Sequence, residues 1–143
     1  MSQLQRTFSI IKPDAVMRGL TETIQKHLEG EGLRIVAQKK ITLEASVAEQ
    51  FYAEHVDRPF FRDLVGYMTS GEIVVQVLQG DDAIAHHRQV MGATNPEEAD
   101  PGTLRALYGE SRERNSVHGS DSPEAARREI EMFFPGEAAP QSA

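Results

Sequence analysis

One histidine of this chain lies in a setting suited to catalysis. His118 belongs to the segment RNSVHGSD, residues 114–121, where small and polar residues surround it. Gly119 gives the backbone freedom to turn tightly beside the imidazole. With a reference pKa of about 6.5, an imidazole is largely neutral at pH 7 and keeps a lone pair for nucleophilic attack or proton transfer. Loop histidines are more often surface residues or ordinary hydrogen-bond partners, so the segment alone leaves both interpretations open.

A strongly signalled helix follows and can hold this histidine in place. Ser122 is predicted as its N-cap, Pro123 as the first helical residue and Glu124 as an acid of the first turn. Apolar residues then recur at helical spacing, at Ala126, Ile130, Phe133 and Phe134. That face is expected to pack into a core, and a histidine at the edge of an anchored helix is pre-positioned for chemistry.

The composition is typical of one globular domain without cysteine. The chain has 143 residues, of which 39% are hydrophobic and 26% charged, enough for a sizeable core. The lack of cysteine excludes disulfides, thiolate metal sites and cysteine nucleophiles. No apolar run approaches the ~20 residues of a membrane span, and no signal peptide is recognisable, so we expect a cytoplasmic protein without membrane association. Residues 1–134 are predicted to form the domain and residues 135–143 a loose C-terminal tail.

The charge balance restricts the partners. Lys and Arg number 15 against 22 Asp and Glu, which gives a net charge of −7. Such a chain repels nucleic acid, so no specific nucleic-acid partner is expected, and an anion site would need cations gathered in a pocket. Lys12, Arg88 and Arg105 lie near predicted chain breaks, where Thr94 adds a hydroxyl donor. Taken singly, each of these residues is typical of an ordinary solvated surface.

Alternating strand and helix patterns predict the architecture. Strands are predicted at residues 7–12, 33–42 and 73–78, with a short fourth strand around Val117. Helices are predicted at residues 21–31, from a capping box formed by Ser46 and Glu49, at residues 81–91 and after residue 122. Residues 92–115 show little regular pattern, which is typical of a functional loop or of a disordered segment. This order favours an α+β fold, namely a ferredoxin-like βαββαβ arrangement with a four-stranded antiparallel sheet covered by helices.

Several chemical signatures are missing from the sequence. It contains no G-x-x-x-x-G-K-[ST] phosphate loop, and Gly30 and Gly32 do not complete a dinucleotide-binding motif. No H-E-x-x-H motif is present. His86 and His87 are adjacent, so on a helix they point about 100° apart and cannot share a metal. Both are expected on a solvated helix surface, and no dedicated metal site is expected.

Five segments in order resemble nucleoside diphosphate kinase. Together they run from about Thr7 to Phe134, nearly the whole chain, and they are TFSIIKPD at 7–14, RPFF at 58–61, GATNP at 92–96, GTLR at 102–105 and N-x-x-HGSD at 115–121. The resemblance implies reversible transfer of the γ-phosphate from nucleoside triphosphates, mainly ATP, to nucleoside diphosphates by a ping-pong route through phosphohistidine. His118 matches the nucleophile of the family. The activity would balance nucleotide pools.

The resemblance also implies roles for the phosphate and nucleoside contacts. Lys12 and Arg105 correspond to the γ-phosphate side, and Arg88 with Thr94 to the β-phosphate. Asn115 and Lys12 are expected to contact the ribose.

The resemblance makes Phe60 the aromatic residue on which the base stacks, which implies broad base and sugar tolerance. The chain departs from the family at Arg112, where an aliphatic residue usually packs on the other face of the base. A guanidinium plane can also stack, so binding should survive this replacement.

Further implied residues surround the nucleophile. Tyr52 lies close to the histidine in this family, Glu129 resembles the carboxylate that holds the second ring nitrogen, and Ser120 supports the same network. Mg²⁺ would arrive with the nucleotide phosphates. The resemblance also implies a homo-oligomer, with a tetramer favoured over a hexamer or dimer.

The sequence also leaves two other function classes open. One is a non-enzymatic ligand- or RNA-binding module of the same fold, which the charge of −7 disfavours. The other is a phosphohistidine relay protein that takes phosphate from a partner kinase. A relay would not need Lys12, Arg88, Thr94 and Arg105 in addition to His118.

Overall fold

A computed structural model describes residues 4–112 and 114–139. Its strands are β1 (Leu4–Ile11), β2 (Arg34–Thr42), β3 (Glu72–Asp81) and β4 (Val117–Gly119). Its α-helices are α1 (Pro13–Met17), α2 (Thr21–Gly30), α3 (Ala45–Phe51), α4 (Phe61–Met68), α5 (Ala83–Met91), α6 (Leu104–Tyr108) and α7 (Pro123–Phe133). Two short 3₁₀ turns lie at Ala53–His55 and Pro96–Glu98. Across the two described ranges, no helix is long and apolar enough to cross a membrane.

The four strands form one antiparallel sheet in the order β2-β3-β1-β4. This order, with helices connecting the strands, confirms the predicted ferredoxin-like α+β fold. β1 lies in the interior of the sheet, where its last six residues are buried, and it pairs with β3 on one side and β4 on the other. The pairing sets Ile10 opposite His118 and Ser9 opposite Gly119. The interior strand therefore fixes the position of the histidine segment.

Two clusters of buried apolar side chains cover the opposite faces of the sheet. Phe8 and Ile10 belong to one cluster with residues of α3, α4 and α7, whereas the neighbouring Ile11 belongs to the other. Alternate residues of a strand point to opposite faces, so this division follows from the strand geometry. The first cluster anchors α7, and the second anchors α5 and α6.

One predicted helix start is confirmed and another is wrong. Ser122 caps α7 as predicted, because its side chain accepts a hydrogen bond from the backbone N–H of Ala125 at 3.1 Å. The capping box of Ser46 and Glu49 is wrong, since α3 begins at Ala45 with Glu44 in the N-cap position. Buried Leu43 anchors the chain just before this point, so packing starts the helix two residues earlier than the cap pattern indicates.

The irregular region contains a helix that the pattern did not reveal. Within residues 92–115, α6 is capped by the Thr103 side chain, and the Asn95 side chain caps the second 3₁₀ turn. Only five residues long, α6 is too short for a readable periodicity, and buried Leu104 holds it on the core.

The start of the predicted tail contacts the sheet. Arg6 of β1 donates to the Glu137 carboxylate at 2.8 Å, and Ala138 packs against the first apolar cluster. Residues 135–139 are thus held by contacts that the composition did not indicate. The rest of the predicted tail, residues 140–143, lies outside the described residues.

Candidate active site

Strand β4 presents the imidazole of His118 to a ring of aromatic side chains. The ring centroid lies 5.2 Å from that of Phe51 and 6.4 Å from those of Phe8 and Tyr52, each in an edge-on arrangement. The side chain keeps 21% of its surface exposed. Aromatic side chains therefore pack edge-on against the imidazole, while part of the ring faces solvent.

The carboxylate of Glu129 orients this ring. Its Oε1 lies 3.0 Å from Nε2 of His118 and accepts a hydrogen bond from Ser120 Oγ at 2.8 Å. Glu129 is buried on the anchored face of α7, one turn before Phe133. An ionised carboxylate only accepts hydrogen bonds, so this contact favours the neutral tautomer that carries its proton on Nε2 and its lone pair on Nδ1. Of the two residues expected to support the histidine, Glu129 contacts the imidazole directly and Ser120 contacts Glu129.

A small cavity opens beside the imidazole. Its volume is about 130 Å³, and its lining includes Phe51, Tyr52, Glu54, His55, His118, Gly119, Asp121 and Glu129. The buried hydroxyl of Tyr52 has no hydrogen-bond partner within residues 4–112 and 114–139, and burial followed by the charge of Glu129 raises its pKa. Glu54 and Asp121 are acidic residues that sequence reasoning did not single out.

A larger cavity contains three of the expected phosphate ligands. It measures about 560 Å³ and is lined in part by Arg88, Thr94 and Arg105. Arg105 donates to the carbonyl groups of Gly92 at 3.0 Å and Val117 at 2.9 Å, so it links this cavity to the residue before His118. Burial and then the charge of Arg88 lower the pKa of Arg105 to about 10. Two guanidinium groups close enough to repel one another favour an anion between them.

Lys12 connects β1 to the histidine segment. Its Nζ is buried and donates to Asn115 Oδ1 at 2.9 Å. Asn115 in turn donates to the carbonyl groups of Thr94 at 3.1 Å and Arg112 at 3.2 Å. Burial and the charge of Arg105 lower the pKa of Lys12 to about 8, against the opposing effect of Asp14. A buried ammonium with a neutral partner and a cationic neighbour is poised to receive an anion.

None of the four expected nucleoside contacts lines either cavity: Lys12 and Asn115 are buried, whereas Phe60 and Arg112 are exposed. Phe60 is 46% exposed just before α4, with its ring centroid 5.6 Å from that of His55. The side chain of Arg112 is exposed, and only its carbonyl contacts the Asn115 amide. Both side chains are accessible to a ligand at the surface.

The expectation that His87 lies on a solvated surface is wrong. His87 is fully buried, and neither ring nitrogen has a hydrogen-bond partner in the part of the chain that the structure describes. Burial, followed by the charge of His118, lowers the pKa of His87 to about 3. The spacing of Ala83, His87, Val90 and Met91 was the signal, because it places His87 on the apolar face of α5. His86 is half-buried.

Packing against His87 explains the need for a glycine at position 119 better than a tight turn does. A Cβ added at Gly119 would lie 2.4 Å from Nδ1 of His87, a distance that no side chain can tolerate. Gly119 does not have a positive φ. The glycine beside His118 is therefore needed for close packing of α5 against β4.

Comparison with known proteins identifies the family of this chain. The family model for nucleoside diphosphate kinase matches residues 5–139. The chain belongs to the nucleoside diphosphate kinase family. It is therefore a phosphotransferase that moves phosphate between nucleoside triphosphates and diphosphates, as the resemblance implied. A non-enzymatic binding module and a relay protein are set aside.

Relatives of this kinase match over nearly their full length. The nucleoside diphosphate kinases of Maricaulis maris and Azorhizobium caulinodans are 62% and 60% identical over 131 residues, which cover 92% of this chain and 94% of each relative. The kinase structure from Aquifex aeolicus has a TM-score of 0.92 at 40% identity and covers 96% of this chain and 100% of its own. The Halobacterium salinarum enzyme, solved in complex with CDP, has a TM-score of 0.91 at 41% identity, with 99% and 94% covered.

Proposed function

We propose that this kinase transfers the γ-phosphoryl group through a phosphohistidine at His118, in two half-reactions at one site. The observation that carries the proposal is the contact between Nε2 and Glu129, which leaves Nδ1 unprotonated. Nδ1 attacks the γ-phosphorus, the bond from that phosphorus to the bridging oxygen breaks, and the diphosphate leaves with that oxygen. A terminal oxygen of a second diphosphate then attacks the phosphohistidine and releases Nδ1. The phosphoanhydride bond broken in the donor triphosphate and the one formed in the product triphosphate are of similar energy, so the transfer is reversible.

The cations near His118 support phosphate positioning. Phosphoryl transfer depends on positioning and charge neutralisation more than on new covalent chemistry. We assign Lys12 and Arg105 to the γ-phosphate, because Arg105 is tied to the residue before His118. Arg88 and Thr94 line the larger cavity and are assigned to the β-phosphate.

The nucleoside would lie at the outer part of the site. The hydrogen bond between Lys12 and Asn115 supports a shared contact with the ribose. The exposed ring of Phe60 can stack on a base through a face that every base possesses, which supports broad base tolerance. Arg112 can stack from the other side. Such tolerance suits an enzyme that balances cytoplasmic nucleotide pools, with ATP as the main donor.

Mg²⁺ fits this site as an ion carried by the substrate. In residues 4–112 and 114–139, no group of three or more His, Asp or Glu side chains could hold a metal by itself. The carboxylates of Glu54 and Asp121 line the cavity beside His118 and would help to hold an ion that arrives on the phosphates. When bound, Mg²⁺ neutralises phosphate charge.

A homo-oligomer, with a tetramer favoured, is also proposed. β2 forms one edge of the sheet, and its apolar residues Ile35, Val36 and Ile41 are only partly buried in the single chain. Unpaired edges and half-covered apolar residues favour pairing with a second copy.

Labelling with γ-labelled ATP tests the phosphohistidine. We expect protein-bound label that is labile in acid, stable in alkali and released by any nucleoside diphosphate. His118→Ala should abolish labelling, whereas His27→Ala on α2 should leave it unchanged. Labelling of the His118→Ala protein would place the nucleophile elsewhere.

A further inference from the structure

A buried carboxylate outside the nucleotide site connects three segments of the chain. Asp14 is only 4% exposed in the first turn of α1. It accepts hydrogen bonds from the Tyr67 hydroxyl of α4, from Ser116 Oγ at 2.8 Å and from the Arg18 guanidinium at 3.2 Å. Burial and the hydrogen bond to Asp14 raise the pKa of Tyr67, so this hydroxyl remains a donor. The carboxylate has no place in the phosphate assignments above.

Ser116 has an unusual backbone that needs such support. Its φ is +71°, in the left-handed region that side chains other than glycine rarely adopt. Backbone hydrogen bonds support it on both sides, from the N–H of Lys12 to its carbonyl and from the N–H of Val117 to the Asn115 carbonyl, each at 2.8 Å. Its hydroxyl donates to Asp14 and accepts a hydrogen bond from the Arg18 guanidinium at 3.1 Å. The Tyr108 carbonyl lies farther from the same hydroxyl, at 3.1 Å, and is uncharged. Charge-assisted hydrogen bonds are the stronger ones, so Asp14 is the main acceptor.

The turn at Ser116 controls two residues of the proposed active site. The preceding residue, Asn115, accepts a hydrogen bond from the ammonium of Lys12, and His118 follows two residues later. Pairing with β1 sets the register of β4, but β4 has only three residues, so the turn that leads into it also contributes to its direction. The entry angle of β4, and with it the position of the imidazole, depends on the conformation of Ser116.

We propose that Asp14 and Ser116 are positioning residues for phosphoryl transfer, and that their hydrogen bond holds the left-handed turn which aligns His118 with the phosphate site. This inference rests on the proposed phosphohistidine mechanism. Misalignment of a nucleophile slows the chemical step more than it weakens substrate binding. The pair should therefore affect the rate of His118 phosphorylation and spare nucleotide affinity.

Ser116→Gly separates the hydrogen bond from the backbone strain. Glycine removes the hydroxyl but adopts a positive φ freely, so any loss of rate reports the missing contact. In single turnovers with ATP, we expect Ser116→Gly and Asp14→Asn each to slow labelling of His118 on the order of tenfold. The dissociation constant for ADP should change less than about twofold in Ser116→Gly, which leaves the phosphate ligands and the charge of Asp14 near Lys12 unchanged. The double variant should be no slower than the slower single variant.

A matched control and a spectroscopic readout complete the experiment. Thr69→Ala removes a hydroxyl that donates to the Val65 carbonyl at 2.9 Å on α4, outside this network, and should leave the rate unchanged. The ¹⁵N resonances of the His118 ring should shift in Ser116→Gly and Asp14→Asn but not in Thr69→Ala. Urea unfolding checks that each variant is folded.

The outcomes separate this inference from the mechanism on which it rests. Wild-type labelling at His118 with full-rate labelling of folded Ser116→Gly and Asp14→Asn would overturn the inference alone. Multiplied effects in the double variant would also overturn it, because the two residues would then act independently. A wild-type protein without label at His118 would overturn the proposed mechanism and this inference together.

Discussion

Nε2 of His118 lies 3.0 Å from Oε1 of Glu129, across eleven residues of sequence. β4 supplies the histidine, and α7 supplies the carboxylate from its buried face. In the proposed mechanism, the ring gains positive charge when Nδ1 bonds to phosphorus, and the carboxylate is placed to stabilise that charge. The contact thus favours one tautomer before the reaction and stabilises the charge that develops on the ring during it.

Glu129→Gln tests this relationship. The amide keeps the shape of the side chain but loses the charge, so it should cost about 1.5–3 kcal/mol of hydrogen-bond energy. We expect kcat/KM to fall by roughly 10- to 100-fold, measured with ATP and a range of diphosphates. Glu131→Gln, an exposed change on the same helix, should have little effect. Equal rates in the two variants would show that the charge of Glu129 is dispensable.

Lys12 should produce a pH dependence in the alkaline range. Its pKa is lowered to about 8, so it is charged below that pH and loses its charge above it. Because only the charged form attracts phosphate, kcat/KM should decline as pH rises through about 8 in the free enzyme. Lys12→Arg keeps the charge and should remove this decline, even if its overall activity is lower. The exposed Lys26→Arg on α2 is the control, and a decline that persists in Lys12→Arg would assign it to another group.

Phe60 should contribute affinity without selecting a base. Loss of a stacking partner costs about 1–3 kcal/mol in examples with single-stranded nucleic acids. Phe60→Ala should therefore raise the KM for all nucleoside diphosphates by a similar factor, on the order of tenfold. Val56→Ala, another exposed apolar change nearby in sequence, should not. A spread of many decades in kcat/KM among purine and pyrimidine substrates of the wild-type enzyme would contradict broad tolerance and point to Arg112 as a base-reading residue.

Gly119→Ala should destabilise the protein through His87. The added methyl group would overlap the buried imidazole, and overpacking of this kind costs about 1–3 kcal/mol in free energy of unfolding. Urea denaturation measures the loss, and replacing His87 by Ala in the same protein should restore part of it. Gly66→Ala on α4 meets no atom within 4 Å and should leave stability unchanged or raise it slightly. A Gly119→Ala protein as stable as the wild type would show that α5 can withdraw from β4.

The fold followed from patterns that are visible over short distances. The apolar runs of β1 and β3 and the cap at Ser122 specify their elements within a few residues, so these predictions are confirmed. α6 was missed because five residues carry too little periodicity. The cap predicted at Ser46 failed because the buried Leu43 decides where α3 begins.

The sequence by itself determined the family, the histidine segment and the helix that anchors it, because motifs and caps are written in neighbouring residues. Only the tertiary structure decided that Lys12 meets Asn115 across 103 residues, that His87 lies buried against Gly119, and that Asp14 holds the turn at Ser116. Contacts of this kind depend on which strands pair and which helix face packs. Those choices are made by the whole core and cannot be read from any one segment.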